Sequence, residues 1–288
     1  MTAQNIKLVA ADMDGTLIKN NQELTPRTVD AIRRIQARGI RFILNTGRSN
    51  SESELYYDKL KMDCSIFANG TYILDLPAGT CPYNRPIDLD AARRIYEIYA
   101  RFDCLIFIQG DHWVYTIEGA ERRCRRFPEY IEGLATIDLP YRYEPDLREF
   151  LARRTEPVEK FHVSFISHEE AEKAYNILKE LPFAVCWCGR YCVEVSNREA
   201  DKGLALKWLA DRLGIAREEI MAIGDSDNDR TMLEYAGTAV AMDNAPDSLK
   251  QIADIIAPSN NDEGAAWVLE TYLLKDDKGT FRLSSFSG

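Results

Sequence analysis

Short apolar runs alternate with helix-period segments at both ends of the chain. Residues 7–11, Lys-Leu-Val-Ala-Ala, form an apolar run that stops at Asp12 and predicts a buried strand. Thr25-Pro26 reads as a helix start, with Thr25 as cap and Pro26 in the first turn. Val29, Ile32 and Ile35 continue it at helical spacing until Gly39. Residues 40–44 predict a second strand, 51–61 a helix and 65–68 a third strand that closes at the Asn69-Gly70 turn. Strand and helix in alternation imply a parallel sheet. The pattern returns late: a helix at 202–213 with Leu204, Ala205, Trp208, Leu209 and Leu213 on one face and Gly214 as its stop; a strand at 220–223; a helix at 228–235; a strand at 238–242; a helix at 245–253; and a possible edge strand at 255–256. Between them, roughly residues 83–196, the texture differs. Strands are expected at 104–109, 113–117, 160–167 and 191–195, and helices at 91–100 and 169–180. This is an inserted α+β segment with its own pattern. The tail, about residues 275–288, is polar and expected to be loosely held.

Composition narrows the function classes. The 288 residues suit one large domain or two modest ones. With 46 acidic against 36 basic residues the net charge is -10, which argues against a nucleic-acid partner, since a phosphate backbone calls for a basic patch. An anionic substrate is still compatible, because a divalent cation and a few donors can reverse the field inside one cleft. The apolar runs are far shorter than the roughly 18 residues of a membrane helix, so no membrane partner is expected. No secretory signal is visible, and a cytoplasmic location is the default. The seven cysteines are read as reduced thiols. Three of them cluster at Cys186, Cys188 and Cys192. Three thiolates suit a soft metal, but no further Cys or His lies nearby in sequence, and strand thiols acting as small hydrophobes are the preferred reading.

Four polar constellations follow strand ends or open helices. Asp12-Met13-Asp14-Gly15-Thr16 puts two carboxylates two positions apart, on one side of a strand end. Such a pair repels unless a cation or a shared proton relieves it, and a hard cation such as Mg²⁺ takes oxygen ligands. Gly15 permits the tight turn. Thr46-Gly47-Arg48 offers a hydroxyl and backbone N–H groups to a phosphate oxygen. Lys202-Gly203 opens a helix and can aim an ammonium into a cleft. Gly224-Asp225-Ser226-Asp227-Asn228-Asp229 packs carboxylates that a metal or solvent must neutralise. Each alone is also explained as an ordinary turn, a surface lysine or a solvated helix cap. Together they can be gathered at one sheet edge.

Their order and context resemble the haloacid dehalogenase superfamily of phosphohydrolases. Asp-Met-Asp-Gly-Thr matches its first motif, Thr-Gly-Arg its second, Lys-Gly its third and Gly-Asp-Ser-Asp-Asn-Asp its fourth. The insertion between the second and third motifs resembles the branch with a large α/β (type IIB) cap, and within it the Cof-type sugar-phosphate phosphatases. Asn69-Gly70 and residues 232–245 are similar to that group too. The likeness covers residues 7–75 and about 194–270, and the cap only in layout. Asp243 stands where relatives often carry Gly, away from the expected chemistry.

The resemblance implies an α/β fold, a Rossmann-like parallel-sheet core of residues 1–82 and 197–288 with an inserted α+β cap of residues 83–196. It implies a phosphatase of small phosphorylated metabolites, sugar phosphates first. Asp12 is then the nucleophile that forms an aspartyl-phosphate, and Asp14 the proton donor and later the base. Mg²⁺ is then held by Asp12, the backbone carbonyl of Asp14 and Asp225. Thr46, the Gly47 amide, Lys202 and Asn228 hold phosphoryl oxygens. Asp229 orients Lys202 or a metal-bound water, while Thr16 and Arg48 support the loop or substrate. Cap motion is expected about hinges near residues 80–86 and 195–200.

A phosphomutase shares this nucleophile and a similar cap, and a non-catalytic metabolite-binding protein shares the scaffold. A dehalogenase or phosphonate hydrolase has no need of Asp14, and an ion pump needs membrane spans. The cap residues that select substrate are not legible, nor is an oligomeric state. Trp113, Tyr115, Trp187 and Tyr191 are candidates, each also suited to a core. His112, His162 and His168 all fall in the cap; His162 or His112 could touch substrate, with a structural role preferred.

Overall fold

The computed structural model describes residues 6–132 and 140–275. In chain order the strands and longer helices begin with β1 (Leu8–Ala11), α1 (Pro26–Ala37), β2 (Arg41–Leu44), β3 (Cys64–Phe67), β4 (Tyr72–Asp75) and β5 (Thr80–Asn84). The middle of the chain forms α2 (Leu89–Tyr99), β6 (Cys104–Gly110), β7 (Trp113–Ile117), β8 (Tyr141–Glu144), α3 (Leu147–Arg153), β9 (Lys160–Phe165), α4 (His168–Leu178), β10 (Phe183–Gly189) and β11 (Cys192–Asn197). The last part forms α5 (Lys202–Leu213), β12 (Ile220–Gly224), α6 (Arg230–Tyr235), β13 (Thr238–Met242), β14 (Ile255–Ala257) and α7 (Gly264–Val268).

The core sheet runs β14-β13-β12-β1-β2 and is parallel throughout. Alternate residues of each strand face opposite helix layers. Val9, Ala11, Phe42, Leu44, Met221 and Ile223 pack with α1 and α7. Leu8, Ala10, Ile43, Ile220 and Ala222 pack with α5 and α6. Burial on both faces explains why these strands read as continuous apolar runs. Register matters for function: Ala11 pairs with Leu44 on one side and Ile223 on the other. The residues just beyond, Asp12, Asn45 and Gly224, therefore leave the sheet at one level. Strand order reverses around β1, the position where open α/β sheets form a crevice at their carboxyl ends.

A second, mixed sheet, β10-β11-β9-β6-β7-β8, lies over that edge. One face is apolar: Phe161, Val163, Phe165, Val193 and Val195 pack with α2, α3 and α4. The period-two alternation of β9 and β11 turns Lys160, His162 and Glu194 to the opposite face. A three-stranded sheet, β3-β4-β5, joins the core through a bridge between Asn45 and Ile66. No described helix is long and apolar enough to cross a membrane.

Several expectations need correction. Residues 51–61 are not one helix but short turns at Asn50–Ser53, Glu54–Tyr56 and Tyr57–Leu60. Ser49 and Glu52 form a capping box that starts the first turn, but Ser53 Oγ donates to the Ser49 carbonyl four residues back, a side-chain bond that competes with the helix backbone. Leu204 does not join the buried face of α5; it is 53% exposed, and Ala205, Leu206, Leu209 and Ala210 are buried instead. The helix at 245–253 shortens to Asp247–Lys250. The hairpin β4–β5 and strand β10 were not anticipated. The cysteines are not all free thiols: Cys188 and Cys192 form a disulfide across the β10–β11 turn, where the register sets Gly189 opposite Cys192 and the two Cα atoms lie 5.3 Å apart. The tail beyond Lys275 lies outside the described residues.

Candidate active site

Asp12 leaves β1 buried, and its backbone N–H donates to the Ile223 carbonyl at 2.9 Å. Its Oδ1 accepts from Lys202 Nζ at 2.6 Å, across 190 positions of sequence. Lys202 opens α5, which Asp201 caps by accepting from the Leu204 N–H. The same ammonium donates to Asp229 Oδ1 at 2.6 Å. Asp229 Oδ2 in turn accepts from the backbone N–H groups of Asp225 at 2.9 Å and Ser226 at 3.0 Å. Asp229 is thus spent on fixing the ammonium and the following loop. Burial opposes the charge of Lys202, but Asp12 and Asp229 more than offset it and hold its pKa above the ordinary range. Burial pushes Asp12 well above the usual carboxylate range; Lys202 opposes this, while Asp229, Asp225 and Asp14 add to it. Burial, then the Asp229 charge, raise Asp225 to about 7.

Gly15 turns the loop with φ +75°, and a Cβ here would overlap the Asp225 carboxylate. That close approach lets Thr16 Oγ1 donate to Asp225 Oδ1 at 2.8 Å. Asn244, not singled out from the sequence, donates to Asp225 Oδ2 at 3.2 Å and to the Gly15 carbonyl at 2.9 Å. The Asp14 side chain is half exposed and held by a two-pronged contact from Arg48: Nε to Oδ2 at 2.7 Å and Nη2 to Oδ1 at 2.6 Å. Thr46 is buried, and its Oγ1 accepts from the Arg48 N–H at 3.1 Å.

The cleft above this edge is walled by Asp12, Asp14, Gly47, Arg48, Asp225 and Asn228 from below. Gln109, Lys160, His162, Trp187, Cys188 and Glu194 close it from above, with Phe107, Tyr130 and Tyr141. Thr16, Thr46, Lys202 and Asp229 are buried behind the wall. Of the aromatic candidates only Trp187 lines the cleft; Tyr115 stacks on Phe150. His112 packs on Tyr72 and contacts Glu159, and His168 bonds the Arg190 carbonyl.

Sequence reasoning missed the contacts that tie the upper wall to the lower. Lys160 Nζ donates to the Gly47 carbonyl at 2.7 Å and pairs with Glu194 Oε1. Asn69 Nδ2 donates to Glu194 Oε2 at 2.6 Å, and Asn228 Nδ2 donates to Asn69 Oδ1 at 3.1 Å. Polar residues at every second position of otherwise apolar strands were the available signal, and it is the signal of a solvent face as well.

Carboxylate oxygens of Asp12, Asp225 and Asp229 lie within 4.8 Å of one another. Two of the three carry the raised pKa values that crowded, buried carboxylates develop, and a hard divalent cation relieves such crowding. This all-oxygen donor set fits magnesium.

A model of the family described as haloacid dehalogenase-like hydrolase matches residues 9–269. The phosphatase YwpJ of Bacillus subtilis (strain 168) is 28% identical over 298 residues, covering 93% of this chain and 100% of the relative. The 5-amino-6-(5-phospho-D-ribitylamino)uracil phosphatase YitU of the same organism is 29% identical over 272 residues, covering 92% and 97%. The solved structure of a haloacid dehalogenase-like hydrolase from B. subtilis matches with a TM-score of 0.81 at 27% identity, covering 92% of this chain and 99% of that one.

Proposed function

Because the chain belongs to the haloacid dehalogenase-like hydrolase family, we propose that it is a magnesium-dependent phosphatase of small phosphorylated metabolites that works through an aspartyl-phosphate on Asp12. One observation carries this reading: the Asp12 carboxylate is clamped by Lys202 at the floor of a cleft, with Asp14 beside it on a half-exposed loop.

Residues 1–82 and 197–288 are the catalytic core in this reading, and residues 83–196 the cap. The separate sheet and apolar core of the inserted segment support that division. Asp12 attacks phosphorus, and Asp14 gives a proton to the departing oxygen; Asp14 then takes one from the water that cleaves the acyl phosphate. Asp14 must exchange its Arg48 contact for substrate, so Arg48 parks the acid between turnovers. Thr46, the Gly47 amide, Lys202 and Asn228 hold the phosphoryl oxygens. Lys202 also opposes the rise in the Asp12 pKa that burial and the neighbouring carboxylates impose, and so favours the ionised nucleophile. Asp12, the Asp14 carbonyl and Asp225 would hold magnesium, which neutralises charge between the nucleophile and the incoming phosphate.

Sugar monophosphates are the leading substrates. The aromatic wall of Phe107, Tyr130, Tyr141 and Trp187 favours a second class, phosphates of flat rings, among them the substrate in YitU's name. The test is phosphate release from a panel of both classes, with magnesium and with EDTA, for the native chain and Asp12→Asn. The expected outcome is magnesium-dependent release that the substitution lowers at least about 10³-fold. A folded chain that binds magnesium and releases phosphate from neither class would refute the proposal.

A further inference from the structure

Above the cleft, β9 and the β10–β11 hairpin bring together three groups that the proposed phosphatase chemistry does not use: His162, Cys188 and Cys192. One ligand atom from each lies within 4.8 Å of the others. His162 Nε2 is 3.5 Å from Cys192 Sγ, and Cys188 Sγ lies 3.8 Å from the other ring nitrogen, Nδ1. Nitrogen and sulfur bound to one tetrahedral zinc ion stand about 3.6 Å apart, given Zn–N and Zn–S bonds of about 2.05 and 2.3 Å. The ring is also set as a ligand: Nδ1 lies 3.0 Å from Glu194 Oε1, so Nδ1 carries the proton and Nε2 keeps its lone pair. A carboxylate that fixes the tautomer in this way is the usual support of a metal-bound imidazole. Glu194 is itself held by Lys160 and Asn69. His162 and Cys188 both face the cleft, which leaves a fourth position open to water.

We propose that, when the Cys188–Cys192 disulfide is reduced, His162, Cys188 and Cys192 form a zinc site in the upper wall of the cleft, closed by a water. A dithiol reductant breaks the sulfur–sulfur bond by giving two electrons, and is itself oxidised to a disulfide; each cysteine sulfur takes one proton. Zinc then displaces both protons and is bound by two thiolates and the neutral imidazole. The sulfurs must part to about 3.8 Å. The exposed Cys188, at a register shift in the hairpin, has room to move, while Cys192 is buried. Zinc and the disulfide exclude each other, so the site exists in one redox state only. The thiolates distinguish it from the carboxylate cluster at Asp12, which has hard ligands alone.

The test is titration of the full chain with Zn²⁺, and with Co²⁺ as a coloured substitute, in an Asp225→Asn background that weakens the carboxylate cluster. The expected result is one zinc per reduced chain, with a thiolate-to-cobalt charge-transfer band. Both should be absent from the oxidised chain and weakened at least about tenfold in Cys188→Ser and in His162→Ala. Unchanged far-ultraviolet circular dichroism shows that the variants fold. A reduced chain with no charge-transfer band, or one whose zinc affinity is the same in both variants, overturns the proposal. No phosphate release is measured, so the outcome is separate from that of the phosphatase reading.

Discussion

Glu194 is a carboxylate that burial alone would neutralise. Lys160 and His162 more than offset that burial and hold its pKa well below the usual 4.5. A depressed acid stabilises the fold above its unfolded pKa and loses that contribution as pH falls toward the folded value. Glu194→Gln strands the buried Lys160 ammonium, and the loss of one partner of such a pair costs about 3–5 kcal/mol. Urea unfolding at pH 7 should show that deficit. At pH 3, below the unfolded pKa, the unfolded state binds a proton that the native carboxylate does not, so part of the pair's contribution is lost and the gap between native and variant should shrink. An equal gap at both pH values would contradict the charge-pair account. The same triangle places Lys160 on the Gly47 carbonyl, so one pair of charges ties the mixed sheet to the loop that follows β2.

At the scale of elements, α5 and α6 cross where Gly203 meets Thr231. The Gly203 N–H donates to Thr231 Oγ1 at 3.2 Å, and a Cβ at Gly203 would overlap the Thr231 carbonyl. Helix propensity favours alanine over glycine by about 1 kcal/mol. Packing opposes it, because a backbone carbonyl cannot swing away as a side-chain tip can. Gly203→Ala is therefore expected to destabilise by about 1–3 kcal/mol, the range for overpacking. It should also lower phosphate release, since the neighbouring Lys202 rides on the same turn. A melting temperature at or above that of the native chain would show that the helices separate at little cost. The Lys-Gly pair is thus a single device: lysine reaches in because glycine lets the helix approach.

At the scale of the whole molecule, the proposed magnesium ligands link β1 to β12, elements from the two ends of the chain. Asp225, raised to about 7 by burial and Asp229, is relieved by a nearby cation. Binding to the native state alone stabilises it by mass action, about 2.7 kcal/mol at a concentration ~100 times the dissociation constant. Thermal unfolding with magnesium should therefore occur at higher temperature than with EDTA, and Asp225→Asn should remove the difference. Equal melting temperatures for the native chain in both conditions would count against the metal assignment.

Local pattern in the sequence determined the parallel core and the residues at its edge. Apolar runs doubly buried in a parallel sheet announce themselves, and each ends in its own motif, at Asp12, Thr46 and Gly224. Parallel register then brings such ends level, so motifs far apart in sequence could be assigned to one edge. Lys202 was legible as a helix opener, but its burial between Asp12 and Asp229 was decided by the packing of α5. The cap face was decided by tertiary structure alone. Lys160, His162 and Glu194 alternate with apolar residues in the way of a water-facing strand, and only the seating of that sheet over the core edge makes them a buried charge network. The cysteines follow the same rule: no fourth Cys or His lies near Cys188 and Cys192 in sequence, and strand pairing between β9 and β11 delivers His162 to them. Chemistry carried by one turn is written in the residues of that turn, whereas chemistry assembled across a sheet exists only once the strands have paired.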